Sequence, residues 1–140
     1  MDIYEATQTL LTGIVPDVNV SAFVLSYDAE LDKFILPDFP AVTYNYAGIM
    51  PIVSMDGDSE LNRITLDVEV WGDLEQIAAN AKKVNNALNA KRVKVGNVEF
   101  TLVCIEARDI AELGLDFKRR YMRFTGLAEI GEEHHGDTSL

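Results

Sequence analysis

The chain has 140 residues, 48% of them hydrophobic and 25% charged, with a formal net charge of −11 at pH 7. That length suits one domain with one core, and the charge argues against a groove that wraps nucleic acid, which draws on clustered Lys and Arg. No apolar run approaches the ~20 residues of a bilayer-spanning helix, the opening MDIYEATQTLL lacks the basic and apolar regions of a secretion signal, and the single cysteine, Cys104, excludes an internal disulfide and a cysteine-rich metal site.

An amphipathic helix opens the chain. Asp2 and Glu5 have the spacing of a capping box, and Ile3, Ala6, Leu10, Leu11 and Ile14 form one stripe before Gly13 and Pro16 close it. Residues 18–27 alternate poorly and read as an extended segment or strand, and 28–38 as an acidic, mobile connection. Pro37 and Pro40 bracket a turn, after which residues 41–46 (AVTYNY) have the β-branched and aromatic content of a strand. Residues 48–62 form the longest candidate loop. There Met50, Pro51, Ile52, Val53 and Met55 lie beside acids, the composition of a docking segment that orders on binding or of a loop folded back on the domain's own core.

Residues 61–88 carry the clearest signal. Ile64, Leu66, Val68 and Val70 alternate with Arg63, Thr65, Asp67 and Glu69, so one face of this strand is core and the other is wet or meets a partner. Gly72 frees the backbone to turn, Asp73 and Gln76 complete a capping box, and a helix starts at about Leu74. Its apolar residues Leu74, Ile77, Ala78, Ala81, Val84 and Leu88 predict a face lying across the sheet, opposite Glu75, Lys82, Lys83 and Asn86. Residues 93–95 and 98–108 flank Gly96-Asn97, a pair suited to a tight hairpin; the second arm reads as buried on both faces, with Cys104 a small buried hydrophobe. A break at 111–116 leads to a final strand from Phe117 to about Glu129. This order predicts an α+β domain over residues 1–130, a largely antiparallel, mixed sheet with two main helices on one face, followed by a disordered tail at 131–140.

Charge is spread unevenly. Residues 1–62 hold ten acids against Lys33 alone, whereas 91–123 hold eight bases against five acids. On a strand the basic run KRRYMR, 118–123, splits in two, with Arg119, Tyr121 and Arg123 on one face and Lys118, Arg120 and Met122 on the other. Such a strand is expected to pair with acids of its own chain or of an adjoining subunit. Nucleophilic catalysis needs a positioned base, yet the two histidines, His134 and His135, fall in the loose tail beside Glu132 and Glu133. Asp56, Asp58 and Glu60 alternate as cation ligands could, but the bidentate glutamate of an EF-hand is missing downstream, and a solvated acidic loop is the plainer reading. No GxxxxGK or GxGxxG spacing occurs. The sequence thus assigns no catalytic, cofactor or metal residue.

The layout resembles the tail terminator, or tail completion, proteins of long-tailed bacteriophages: the opening helix IYEATQTLL, the extended PAVTYNY, an acidic variable loop, the strand RITLDVEVWG running into the helix DLEQIAANAKKVNNAL, and the closing strand FKRRYMRFTG. The resemblance covers roughly residues 2–130 and rests on order and texture. It implies a structural, non-enzymatic virion protein, assembled in the host cytoplasm, that forms a six-membered ring on the last ring of the tail tube. Such a ring stops tube growth and joins the tube to the head connector or completion protein; DNA passes through it without specific binding, and no membrane is involved. It also makes Met50, Ile52, Met55, Asp56, Asp58, Glu60, Asp67, Glu69, Arg119 and Arg123 candidates for subunit or tube contacts. Another neck or minor tail component, and more distantly a small ligand-binding domain or enzyme, would share the same composition.

Overall fold

The computed structural model describes residues 1–22, 26–30, 33–35, 38–55, 59–111 and 118–131. Its elements run α1 (Ile3–Ile14), β1 (Asn19–Ala22), β2 (Ser26–Asp28), β3 (Lys33–Ile35), β4 (Ala41–Met55), β5 (Ser59–Gly72), α2 (Leu74–Leu88), β6 (Lys91–Val95), β7 (Val98–Ala111) and β8 (Lys118–Gly131). Six strands make one sheet in the order β1-β4-β5-β8-β7-β6, with β1 parallel to β4 and the other pairs antiparallel; β2 and β3 form a separate two-stranded ribbon. This is the α+β architecture that the element order predicts.

The centre of the sheet follows from the period-two pattern of β5. Ile64, Leu66, Val68 and Val70 are each no more than 1% exposed and pack into one core with Ile77, Ala81, Val84 and Leu88 of α2 and Ile3, Ala6 and Leu11 of α1. The strand hands over to α2 within two residues. Gly72 takes φ 147°, a conformation that a Cβ disfavours, and the Gln76 side chain occupies the space a Cβ would need. The Gln76 amide donates to Asp73 Oδ1 at 2.8 Å and the Asp73 amide to Gln76 Oε1 at 3.0 Å, closing the predicted capping box. At α1 the Glu5 amide donates to Asp2 Oδ1 at 2.8 Å.

Several expectations give way to the structure, each for a physical reason. Within the predicted 48–62 loop, residues 48–55 and 59–62 are paired strand: β4 runs on to Met55 and β5 begins at Ser59. Gly48, Pro51 and two register shifts, at Tyr46/Gly48 and Pro51/Val53, break the period of two while the backbone stays paired with β5. The 28–38 connection contains β3, which pairs with β2. Helix α1 continues through Gly13 to Ile14, with Leu10 and Ile14 only partly buried and Thr7 fully so. On α2, Leu74 is 63% exposed because the chain is still leaving the sheet at that first turn; Ala78 is also exposed, and Asn80 takes a place in the buried stripe. Strand β7 is buried on one face only: Val98, Phe100 and Leu102 are covered, while Val103 and Ile105 point to solvent and Cys104 is half-buried.

Candidate assembly surface

Both helices cover one face of the sheet, so the surface open to a partner is the other. It is built in rows by the register of β5, β8 and β7. Asp67 lies beside Arg123, which lies beside Glu106; Glu69 lies beside Tyr121, which lies beside Arg108; Trp71 lies beside Arg119. Four of the sequence candidates, Asp67, Glu69, Arg119 and Arg123, therefore meet on one face, and the basic strand finds its acids within its own chain.

The contacts are tight. Arg123 donates through Nε and a terminal nitrogen to the two oxygens of Asp67, at 2.8 and 3.0 Å, a forked pairing that fixes both side chains. Tyr121 donates its hydroxyl to the same Asp67 Oδ1 at 2.8 Å, and the guanidinium groups of Arg108 and Arg123 lie 5.3 and 5.8 Å from its ring centre. Arg119 donates to Glu69 Oε2 at 3.0 Å while lying 5.1 Å from the centre of the Trp71 ring. Trp71 in turn stacks on Phe39, with ring centres 5.8 Å apart and planes 15° apart, and donates Nε1–H to Thr43 Oγ1 at 2.9 Å. At 2% exposure the indole forms a second, small core on the face without helices. Its place was readable only in part: Trp71 continues the odd-numbered Arg63–Glu69 series, but nothing in a period of two says that Phe39 and Arg119 close over it.

The remaining candidates lie elsewhere. Met50 pairs with Arg63, and Met55 with Ser59, at the other end of the β4–β5 hairpin. Glu60 sits seven positions from Asp67 on β5, roughly 23 Å at about 3.3 Å per residue. Met50 and Ile52 are exposed, at 59% and 46%, and Glu60 is exposed as well. The described candidates thus do not form one patch. Asp56 and Asp58 fall outside the described residues, as do His134, His135, Glu132 and Glu133 and the predicted tail beyond Gly131. Among the described residues no group of three or more His, Cys, Asp or Glu could hold a metal ion, and no helix is long and apolar enough to cross a membrane.

Buried hydroxyls make the fold sensitive to alkali. Burial, then the hydrogen bond to Asp67 and its charge, push the Tyr121 phenol up to about 12. Burial raises Tyr46 further still, against the hydrogen bond it shares with Thr7 at 2.5 Å, and burial followed by the charges of Tyr4 and Asp2 raises Tyr44. A phenol whose folded value lies above its unfolded value of about 10 favours the folded state while it stays protonated, so this contribution is intact below about pH 10 and is lost as pH rises from there through 12. Stability is expected to be flat on the alkaline side of neutrality and to fall above pH 10, with tyrosinate absorbance and loss of far-ultraviolet circular dichroism rising together. Tyrosinate absorbance developing fully near pH 10 in a still-folded chain would contradict this.

No family profile and no curated protein matches the chain. A similar fold occurs in a chain of the virion of a native gene transfer agent particle, at a TM-score of 0.54 and 15% identity, covering 86% of this chain and 84% of that one.

Proposed function

We propose that this chain is a structural component of a phage-like virion, and within it the tail terminator: a ring on the end of the tail tube that stops polymerisation and offers the head connector its joining surface. The observation that carries the reading is the likeness in fold, over 86% of the chain, to a chain of the gene transfer agent virion. The resemblance in element order to tail terminators narrows it, because an opening helix, an extended segment, a capped strand-to-helix turn and a closing basic strand occur here in that sequence. A non-enzymatic role agrees with how the polar residues are used: on the open face Asp67, Glu69, Arg119 and Arg123 are committed to one another. The charge of −11 would also keep DNA from adhering as it passes.

Particles assembled without this protein are the test. Tubes of unregulated length that carry no heads are expected. Tails of normal length without heads would move the protein to another neck position, and tails of normal length bearing heads would remove the assignment.

A further inference from the structure

Among the described residues, each long edge of the six-stranded sheet is paired over only part of its length. On one edge β1 pairs with residues 41–44 of β4, and no described strand pairs with the free side of 45–55. On the other edge β6 pairs with residues 98–102 of β7, and no described strand pairs with the free side of 105–111. The covered ends are diagonally opposite. Strand β1 is level with residues 68–71 of β5, and β6, through β7 and β8, is level with residues 60–64. Exposed large apolar side chains gather on the same uncovered lengths: Ile49 at 38%, Met50 at 59% and Ile52 at 46% on β4, Val103 at 48% and Ile105 at 58% where β7 becomes free. Unpaired backbone flanked by exposed apolar side chains is a template for strand addition, which monomeric proteins normally blunt.

We propose that copies of this chain join head to tail through these two edges, residues 45–52 of one copy pairing antiparallel with 105–111 of the next. This deepens the ring reading and depends on it only for closure. Three observations choose a second copy as the occupant. First, β4 and β7 run in opposite directions, so copies sharing one orientation present an antiparallel pair across the joint. Full overlap of the free lengths sets Asn45 near Ala111 and Met50 near Glu106, so that Met50, level with Arg63 on the face away from the helices, comes within one position of Ile105. Second, the pairing sets no like charges against each other: residues 45–52 carry none, opposite Glu106, Arg108 and Asp109 of 105–111. Third, Pro51, with no N–H to give, and two register shifts interrupt the β4 edge, and pairing β4 with itself would bring these breaks in from both strands whereas pairing with β7 brings them in from one. The diagonal offset has a further consequence. Each added copy is displaced along the strands by several residues, and such stagger is what a sheet needs to close on itself as a barrel.

The test is pair-dependent crosslinking. In a Cys104→Ser background, Met50→Cys and Ile105→Cys are combined in one chain and treated with a short bifunctional maleimide, beside each single variant. The expected result is a ladder of multiples of the 15.6 kDa chain from the double variant, ending at the closed ring, and no ladder from either single variant. In parallel, Ile105→Asp is expected to weaken self-association about tenfold or more without changing circular dichroism, because Ile105 supports no core. Crosslinked dimers from a single variant as the main product, oligomers in light scattering without the pair-dependent ladder, or a monomer at every concentration would each overturn the proposal. A ladder from a protein whose absence leaves tails of normal length bearing heads would keep the edge pairing and remove the terminator role. Controlled tube length without a ladder would do the reverse.

Discussion

Gly126→Ala is expected to destabilise the domain by about 3 kcal/mol or more, the upper end of what forced overpacking costs. Gly126 lies on β8 between Ile64 of β5 and Leu102 of β7, whose side chains are 0% and 1% exposed. A Cβ there would stand 1.9 Å from the carbonyl oxygen of Thr101 and about 3 Å from two further backbone atoms of residues 101 and 102. Backbone cannot rotate away as a long side chain can, so β7 and β8 would have to separate. Against a typical stability of about 5–15 kcal/mol, that is a large share. Gly48→Ala is the control, because nothing lies within 4 Å of the new carbon; its effect is expected within about 0.5 kcal/mol. Urea unfolding of both variants decides the matter, read as a shift of the midpoint at unchanged slope. Equal midpoints would mean that the two strands separate there at little cost.

That separation would not stay local. The same β5–β8–β7 register sets Asp67 beside Arg123 and Glu106, three positions along β8 from Gly126, and the bulge at Cys104/Glu106 lies between. A one-residue slip of a strand turns its side chains to the other face. Prising β7 from β8 at Gly126 therefore threatens the forked pairing of Arg123 as well as the core, and ties the open face of the sheet to a glycine on its covered side.

The sequence makes some of this visible and hides the rest for reasons that can be named. Strand β5 and helix α2 are legible because their periods are unbroken and their junction is marked by Gly72, Asp73 and Gln76. The alternation that separates Arg119, Tyr121 and Arg123 from Arg120 and Met122 holds in the structure, but which acids meet those arginines depends on β8 lying beside β5, a neighbour some fifty residues away in the chain. The outer half of β4 reads as a loop because Gly48, Pro51 and two bulges scramble its period, although backbone pairing needs no period at all. Strand β7 looks doubly buried because Val103 and Ile105 are apolar; Val103 is exposed because it lies level with Thr125 and Thr65 on the face away from the helices, and Ile105 is the extra residue of a bulge. Edges are the least legible feature. Nothing in one strand's pattern says that β1 and β6 are too short to cover their neighbours, so Met50 and Ile52 could be picked out by composition while their counterpart Ile105 could not.

Trp71→Ala is the other large effect expected, at about 4 kcal/mol for removing a buried tryptophan. The indole is held by Phe39 stacked on it, by Arg119 over its ring and by Thr43 at its N–H, and Thr43 is itself only 1% exposed. Truncation opens a void on a face that has no described helix to collapse into it and strips the Thr43 hydroxyl of its donor. Trp71→Phe separates the two contributions: it keeps the stacking on Phe39 and loses the hydrogen bond, and should cost about 1 kcal/mol beyond the smaller area buried. Thermal unfolding followed by far-ultraviolet circular dichroism measures both. The order alanine well below phenylalanine, and phenylalanine below the parent, fits a buried structural anchor. If both variants melted with the parent while self-association failed, Trp71 would instead be open in the free chain and covered by a partner. The helix-free face, rather than the strand edges, would then be where copies meet.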